Sequence, residues 1–158
     1  MEISTLLTAQ HIYCDVAVSS KKRAMDVLSA LLVEAGAPLS ESEIFNGLIA
    51  RERLGSTGLG HGIAIPHGRF SNLTRTVAIL VQFAEPIDYD AIDGEPVDLV
   101  VALMVPERST EEHLRLLATL AEMFSDADTR NELRHAATPE QVAAVVACWC
   151  PADDQADA

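Results

Sequence analysis

Aromatic residues are scarce in this chain. They make up 4% of 158 residues, against a hydrophobic fraction of 49%. The core must therefore be built from aliphatic side chains and alanine, which suits packed α/β layers. Basic residues are also few: eleven Lys and Arg face 24 Asp and Glu, for a net charge of −13. Such a chain lacks the basic surface that nucleic-acid phosphates demand, so no nucleic-acid partner is expected. The charge fits a protein that meets basic surfaces on its partners, and it fits plain solubility equally well. The three cysteines, Cys14, Cys148 and Cys150, are odd in number and match neither a disulfide framework nor a zinc motif. No segment approaches the length needed to span a membrane, and no membrane insertion is expected. The opening MEISTLLTAQ has no basic flank and no long apolar run, so no export signal is expected. Reduced thiols in a cytoplasm follow as the expectation. With no repeat and no low-complexity linker, residues 1–150 are expected to form one domain with a polar tail at 151–158.

What the chain does have is glycine concentrated in one place. Arg51 to Arg69 reads RERLGSTGLGHGIAIPHGR and holds five of the eight glycines and two of the five histidines. Glycine-dense backbone takes positive φ and admits close approach, and its amides can form a concavity suited to an anion. The stretch ends in a short apolar segment, Ile63–Ala64–Ile65, then Pro66 and His67.

Around it, strands and capped helices alternate. Ile12 to Val18 reads as a strand. Lys21 to Glu34 reads as a helix, with Ala24, Val27, Leu28, Leu31 and Leu32 at helical spacing and Gly36 as its stop. Lys21, Lys22 and Arg23 fall in its first turn, where cations oppose the helix dipole, a mild hint of an anionic contact. Ser40–Glu41–Ser42–Glu43 is a capping box for a second helix that ends near Arg51 and Arg53. Val77 to Phe83 reads as a strand broken by Ala84–Glu85–Pro86. The acidic stretch 87–96 reads as a connecting loop with a turn at Asp93–Gly94. Val97 to Val105 is nearly all apolar, as a strand covered on both faces should be. Ser109–Thr110–Glu111–Glu112 reads as a third capping box. The helix it opens is expected to bury Leu114, Leu117, Ala118 and Ala121, widened by Leu116, Leu120, Met123 and Phe124. A short helix over 128–135 and a last helix from Pro139, with the stripe Val142, Val145, Val146 and Trp149, complete the chain. Strands interleaved with helices predict an α/β fold with a sheet covered on both faces.

The central stretch contains the parts of a phosphoryl acceptor. A histidine accepts a phosphoryl group when one ring nitrogen is unprotonated and aimed, and the other is held as a donor. Phosphoryl transfer asks for positioning and for donors to the equatorial oxygens. His67 is the candidate acceptor. Ser56 and Thr57 can donate hydroxyls, Gly68 leaves room beside the histidine, Arg51 offers a charged planar fork, and His113 brings a second imidazole from a helix N-terminus. From spacing alone, Ser56 and Thr57 can equally be turn residues, and Arg51 a helix C-terminal cation. A zinc site from His61, His67 and His113 is conceivable, although the spacing matches no standard motif.

These residues resemble a family. GSTGLGHGIAIPHGR is similar to the signature of the type-2 enzyme IIA domains of the bacterial phosphoenolpyruvate-dependent phosphotransferase system, the fructose/mannitol class. SKKRAMDVL, LIARERLGSTG, PIDYDAIDGEPVDLVVALMVP and HLRLL resemble its nitrogen-regulatory branch. The resemblance implies a three-layer α/β/α sandwich with a mixed central sheet. It implies phosphorylation of His67 on Nε2, with Arg51 and His113 around it and no cofactor or metal. It implies a small histidine-phosphorylated carrier protein of the HPr or NPr kind as donor, and regulatory targets such as potassium transporters or sensor kinases. The alternative within the family is a sugar-uptake enzyme IIA that passes the group to a cysteine of an enzyme IIB. A binding module without chemistry and a metallohydrolase are more distant alternatives. His61 departs from the family pattern, which has asparagine there, and is a possible modulator of transfer.

Overall fold

The computed structural model describes residues 2–151, so the tail expected at 151–158 lies almost wholly outside the described residues. A short helix α1 (Ile3–Leu6) and a single 3-10 turn lead into β1 (Ile12–Val16), which stops two residues before the predicted end. Helices α2 (Lys21–Glu34) and α3 (Glu41–Glu52) follow. Both start where serine caps them: Ser20 Oγ accepts from the Arg23 amide at 3.2 Å and Ser40 Oγ from the Glu43 amide at 3.1 Å. Three short strands then occupy the glycine-rich stretch: β2 (Gly58–Gly60), β3 (Ile63–Ala64) and β4 (His67–Phe70). Strands β5 (Val77–Ile87) and β6 (Val97–Pro106) precede α4 (Thr110–Ser125), α5 (Ala127–His135) and α6 (Pro139–Cys148).

The six strands form one mixed sheet in the order β1-β5-β6-β3-β2, with β4 also paired to β6. The central pair β5 and β6 is antiparallel, while β1 runs parallel to β5, and β3 and β4 run parallel to β6. Alternation along the central strands sends Ile79, Val81, Val100, Ala102 and Met104 into a core shared with α2 and α3. Ala78, Leu80, Leu99, Val101 and Leu103 face a second core shared with α1, α4, α5 and α6. This is the predicted α/β/α sandwich. Among the described residues, no helix is long and apolar enough to cross a membrane.

Three expectations need correction. Strand β5 does not end at Phe83 but runs through Pro86 to Ile87, with a shift in its register against β6 between Gln82 and Ile87. A proline, which donates no ladder hydrogen bond, is tolerated at such an irregularity. Helix α4 is buried on one side only: His113, Leu116, Leu120, Met123 and Phe124 face inward, whereas Leu114, Ala118 and Ala121 are exposed. Apolar residues surround this helix in sequence, so periodicity alone did not select the face. Ser109 is the N-cap of α4, but its side chain makes no capping bond. Its neighbour Thr110 instead accepts a hydrogen bond from Arg69 at 2.7 Å.

Candidate phosphoryl-acceptor site

Strand β4 pairs with the C-terminal half of β6, His67 opposite Leu103 through Phe70 opposite Pro106, and lies at the edge of the sheet. Helix α3 packs closely on it because two glycines meet. A Cβ on Gly68 would lie 3.1 Å from the Gly47 carbonyl oxygen, and one on Gly47 would lie 2.4 Å from Cε1 of Phe70. The space beside His67 expected to admit a partner is thus filled at Gly68 by α3 itself. One helical turn after Gly47 comes Arg51, on the same face of α3. From the other side, the first turns of α4 bring Thr110, His113 and Leu114. Gly47, Arg51, His67, Arg69, Thr110 and His113 are among the residues lining one cavity of about 490 Å³.

Within it, His67 is 8% exposed and His113 7%. Their ring centroids are 5.1 Å apart, edge to face at 69°. His67 Nδ1 lies 2.8 Å from the Ile65 carbonyl oxygen. A carbonyl only accepts, so Nδ1 carries the proton and the neutral ring keeps its lone pair on Nε2. Burial lowers the His67 pKa below the usual histidine value. The Ile65 hydrogen bond and Glu52 oppose that shift, and Arg51 adds to it. His113 is pushed down to about 4, first by burial, then by the charge His67 would carry if protonated and by the charges of Arg69 and Arg51. Both rings are therefore neutral near pH 7. Nε2 of His113 is buried and meets no hydrogen-bond partner among the described residues. Arg51 donates from Nη1 to the Gly55 carbonyl at 2.9 Å, which ties the end of α3 to the glycine-rich loop and spends one of its five N–H groups.

The structure brings His67, Arg51, His113 and Gly68 together and leaves the other candidates outside. Thr57 is buried, with its hydroxyl shared between Glu52 and the Tyr89 hydroxyl. Ser56 Oγ accepts from the Gly58 amide at 3.1 Å, a turn contact. Neither lines the His67 cavity. His61 lines a different cavity, with Asp93, Asp98 and Arg134, so the zinc trio is not assembled. His61 and Gly62 join β2 to β3 with φ of 57° and 80°. Positive φ at both positions is what a two-residue type I′ hairpin turn requires, and Asn-Gly satisfies it best.

Arg69 is the site residue that sequence reasoning passed over. It stands two residues after His67 on one strand, so both side chains project from the same face. That spacing within the motif is a signal only once His67–Phe70 is known to be a strand.

Comparison with known proteins gives the family of the chain. A family described as the phosphoenolpyruvate-dependent sugar phosphotransferase system, EIIA 2, matches residues 5–148. The nitrogen regulatory protein of Pseudomonas aeruginosa is 41% identical over 146 residues, covering 92% of this chain and 95% of that protein. A fructose-specific EIIA component of Haloferax volcanii is 31% identical over 146 residues, covering 92% and 95%. The crystal structure of nitrogen regulatory protein IIA-Ntr from Neisseria meningitidis matches with a TM-score of 0.87 at 42% identity, covering 91% of this chain and 98% of that one. The chain belongs to the type-2 EIIA family of the phosphoenolpyruvate-dependent phosphotransferase system, in its nitrogen-regulatory branch.

Proposed function

We propose that His67 accepts a phosphoryl group on Nε2 from a histidine-phosphorylated carrier protein in the cytoplasm, and that the phosphorylation state controls which regulatory targets the protein binds. The observation that carries this reading is the 2.8 Å contact from His67 Nδ1 to the Ile65 carbonyl, which fixes the tautomer and leaves Nε2 as the nucleophilic nitrogen. In the transfer, the Nε2–P bond forms as the N–P bond of the donor histidine breaks, and the donor nitrogen keeps the electron pair. The Nδ1–H stays on Ile65 throughout. Arg51 and Arg69 face the negative charge that arrives. His113, neutral, has a buried Nε2 that a phosphoryl oxygen would satisfy.

Nitrogen-15 and phosphorus-31 spectra of the phosphorylated protein test the assignment. A phosphorus coupled to Nε2, with the Nδ1 proton retained, is the expected result. Coupling to Nδ1, or to no histidine, would overturn it. The sugar-uptake alternative rests on likeness to the fructose-specific relative. It requires transfer onward to a cysteine of an enzyme IIB, and loss of label on mixing with such a protein would favour it.

A further inference from the structure

The cations at the start of α2 face the helix dipole unfavourably, and the structure shows where the first of them goes. Lys21 Nζ lies 2.9 Å from Glu52 Oε2 and 4.5 Å from the centroid of the Tyr89 ring. Glu52 is the last residue of α3, with 5% of its side chain exposed. Its Oε1 accepts from the Tyr89 hydroxyl at 3.0 Å and from the Thr57 hydroxyl. Both carboxylate oxygens lie 3.3 Å from the Thr57 amide. Burial, with Glu52 close by, raises the Tyr89 pKa, so this phenol remains a donor. One buried carboxylate thereby joins four segments: the start of α2, the end of α3, the glycine-rich loop and the loop after β5. The donors and the Lys21 ammonium together offset the cost of burying this carboxylate.

Neither Glu52 nor Tyr89 lines the His67 cavity, yet Glu52 follows Arg51 directly in the chain and sets the end of the helix that carries it. We propose that Glu52 is a positioning and charge-setting residue for phosphoryl transfer: anchored by Lys21, Thr57 and Tyr89, it fixes Arg51 at the cavity, and its charge opposes the phosphoryl group so that phosphorylated His67 stays ready to transfer. The inference rests on His67 being the acceptor. The field of Glu52 reaches the His67 ring, where it acts against that of Arg51. Phosphorylation brings a charge near −2 into this field. Arg51 and Arg69 favour the new charge, Glu52 disfavours it, and Lys21 partly cancels Glu52.

This arrangement gives two substitutions opposite signs. Glu52→Gln keeps the size and the acceptor oxygen for Thr57 and Tyr89 but removes the charge. The equilibrium constant for transfer from the carrier should rise about three- to tenfold, the size expected when a unit charge opposing a dianion through a partly screened, partly buried path is removed. Lys21→Met keeps the stem, leaves Glu52 uncompensated, and should lower the constant by a similar factor, with Lys21→Arg restoring it.

The experiment equilibrates each purified full-length variant with a charged phosphocarrier and reads the phosphorylated fractions of both proteins. A rise for Glu52→Gln with a fall for Lys21→Met supports the proposal. Unchanged constants, or shifts of the same sign, overturn it and leave the cluster a purely structural clasp. If Glu52→Gln does not fold, Lys21→Met decides alone: a fall supports, no change or a rise overturns. A wild type that takes no label from a charged carrier instead overturns the acceptor reading, and this inference with it.

Discussion

Acidification should destabilise this protein through His113, and the size of the effect follows from its burial. The unfolded ring titrates near pH 6.5, whereas in the fold its pKa is about 4. A depressed folded pKa means that the native state holds the neutral ring. The associated stability is fully present above about pH 6.5 and is lost as pH falls toward 4. At about 1.4 kcal/mol per unit, the loss reaches about 2 kcal/mol at pH 5 and about 3 kcal/mol at pH 4. His67 lies 5.1 Å away and also titrates low, so the first proton to enter belongs to the pair. Urea unfolding of the wild type and of His113→Gln at pH 7, 5 and 4 measures the effect, because titrating groups outside the His67–His113 pair cancel in the difference. The wild type should lose stability relative to the variant by about 2 kcal/mol between pH 7 and 5. A difference that stays flat across this range would refute the reasoning. In the phosphorylated protein the dianion should draw the His113 pKa upward, and the acid loss should shrink.

Three further outcomes follow from the geometry. Arg51→Ala should fold normally and slow phosphoryl acceptance about 10- to 100-fold, since it removes a charge-assisted contact to the transferring group; an unchanged rate in a rapid-quench assay would reduce Arg51 to a tie for Gly55. Gly47→Ala adds a methyl 2.4 Å from the Phe70 ring. Overpacking by about 1–3 kcal/mol should outweigh the gain of nearly 1 kcal/mol in helix propensity, and adding Phe70→Leu should recover part of the loss in urea unfolding. His61→Asn, at φ 57° in the β2–β3 turn, should stabilise the fold by up to about 1 kcal/mol and leave phosphoryl acceptance unchanged. A changed transfer rate there would show that His61 modulates the site from its separate cavity.

The parts legible in the sequence were those governed by local physics. Helix α2 matches its predicted limits, and α3 and α6 start where Ser40 and Thr138 cap them, because capping and apolar spacing act within a few residues. The strands of the central stretch were not legible. With two to four residues each and many glycines, β2, β3 and β4 have no strand propensity of their own and exist by pairing with one another and with β6. The same holds for the site. His67, Arg51 and His113 carry recognisable chemistry, whereas Thr57 looks like a phosphate donor until Glu52 and Tyr89 claim its hydroxyl. Tyr89 arrives from 32 residues away, and no pattern in the loop marks it as buried.

The central claim is that His67 is the phosphoryl acceptor. Intact-mass measurement tests it most directly, after incubation at neutral to alkaline pH with a histidine phosphocarrier protein, phosphoenolpyruvate and an enzyme that charges the carrier from it. The account predicts one added phosphate that is lost on brief acid treatment and absent in a folded His67→Ala variant. Full labelling of that variant, or no label on the wild type from a donor shown to be charged, would contradict it.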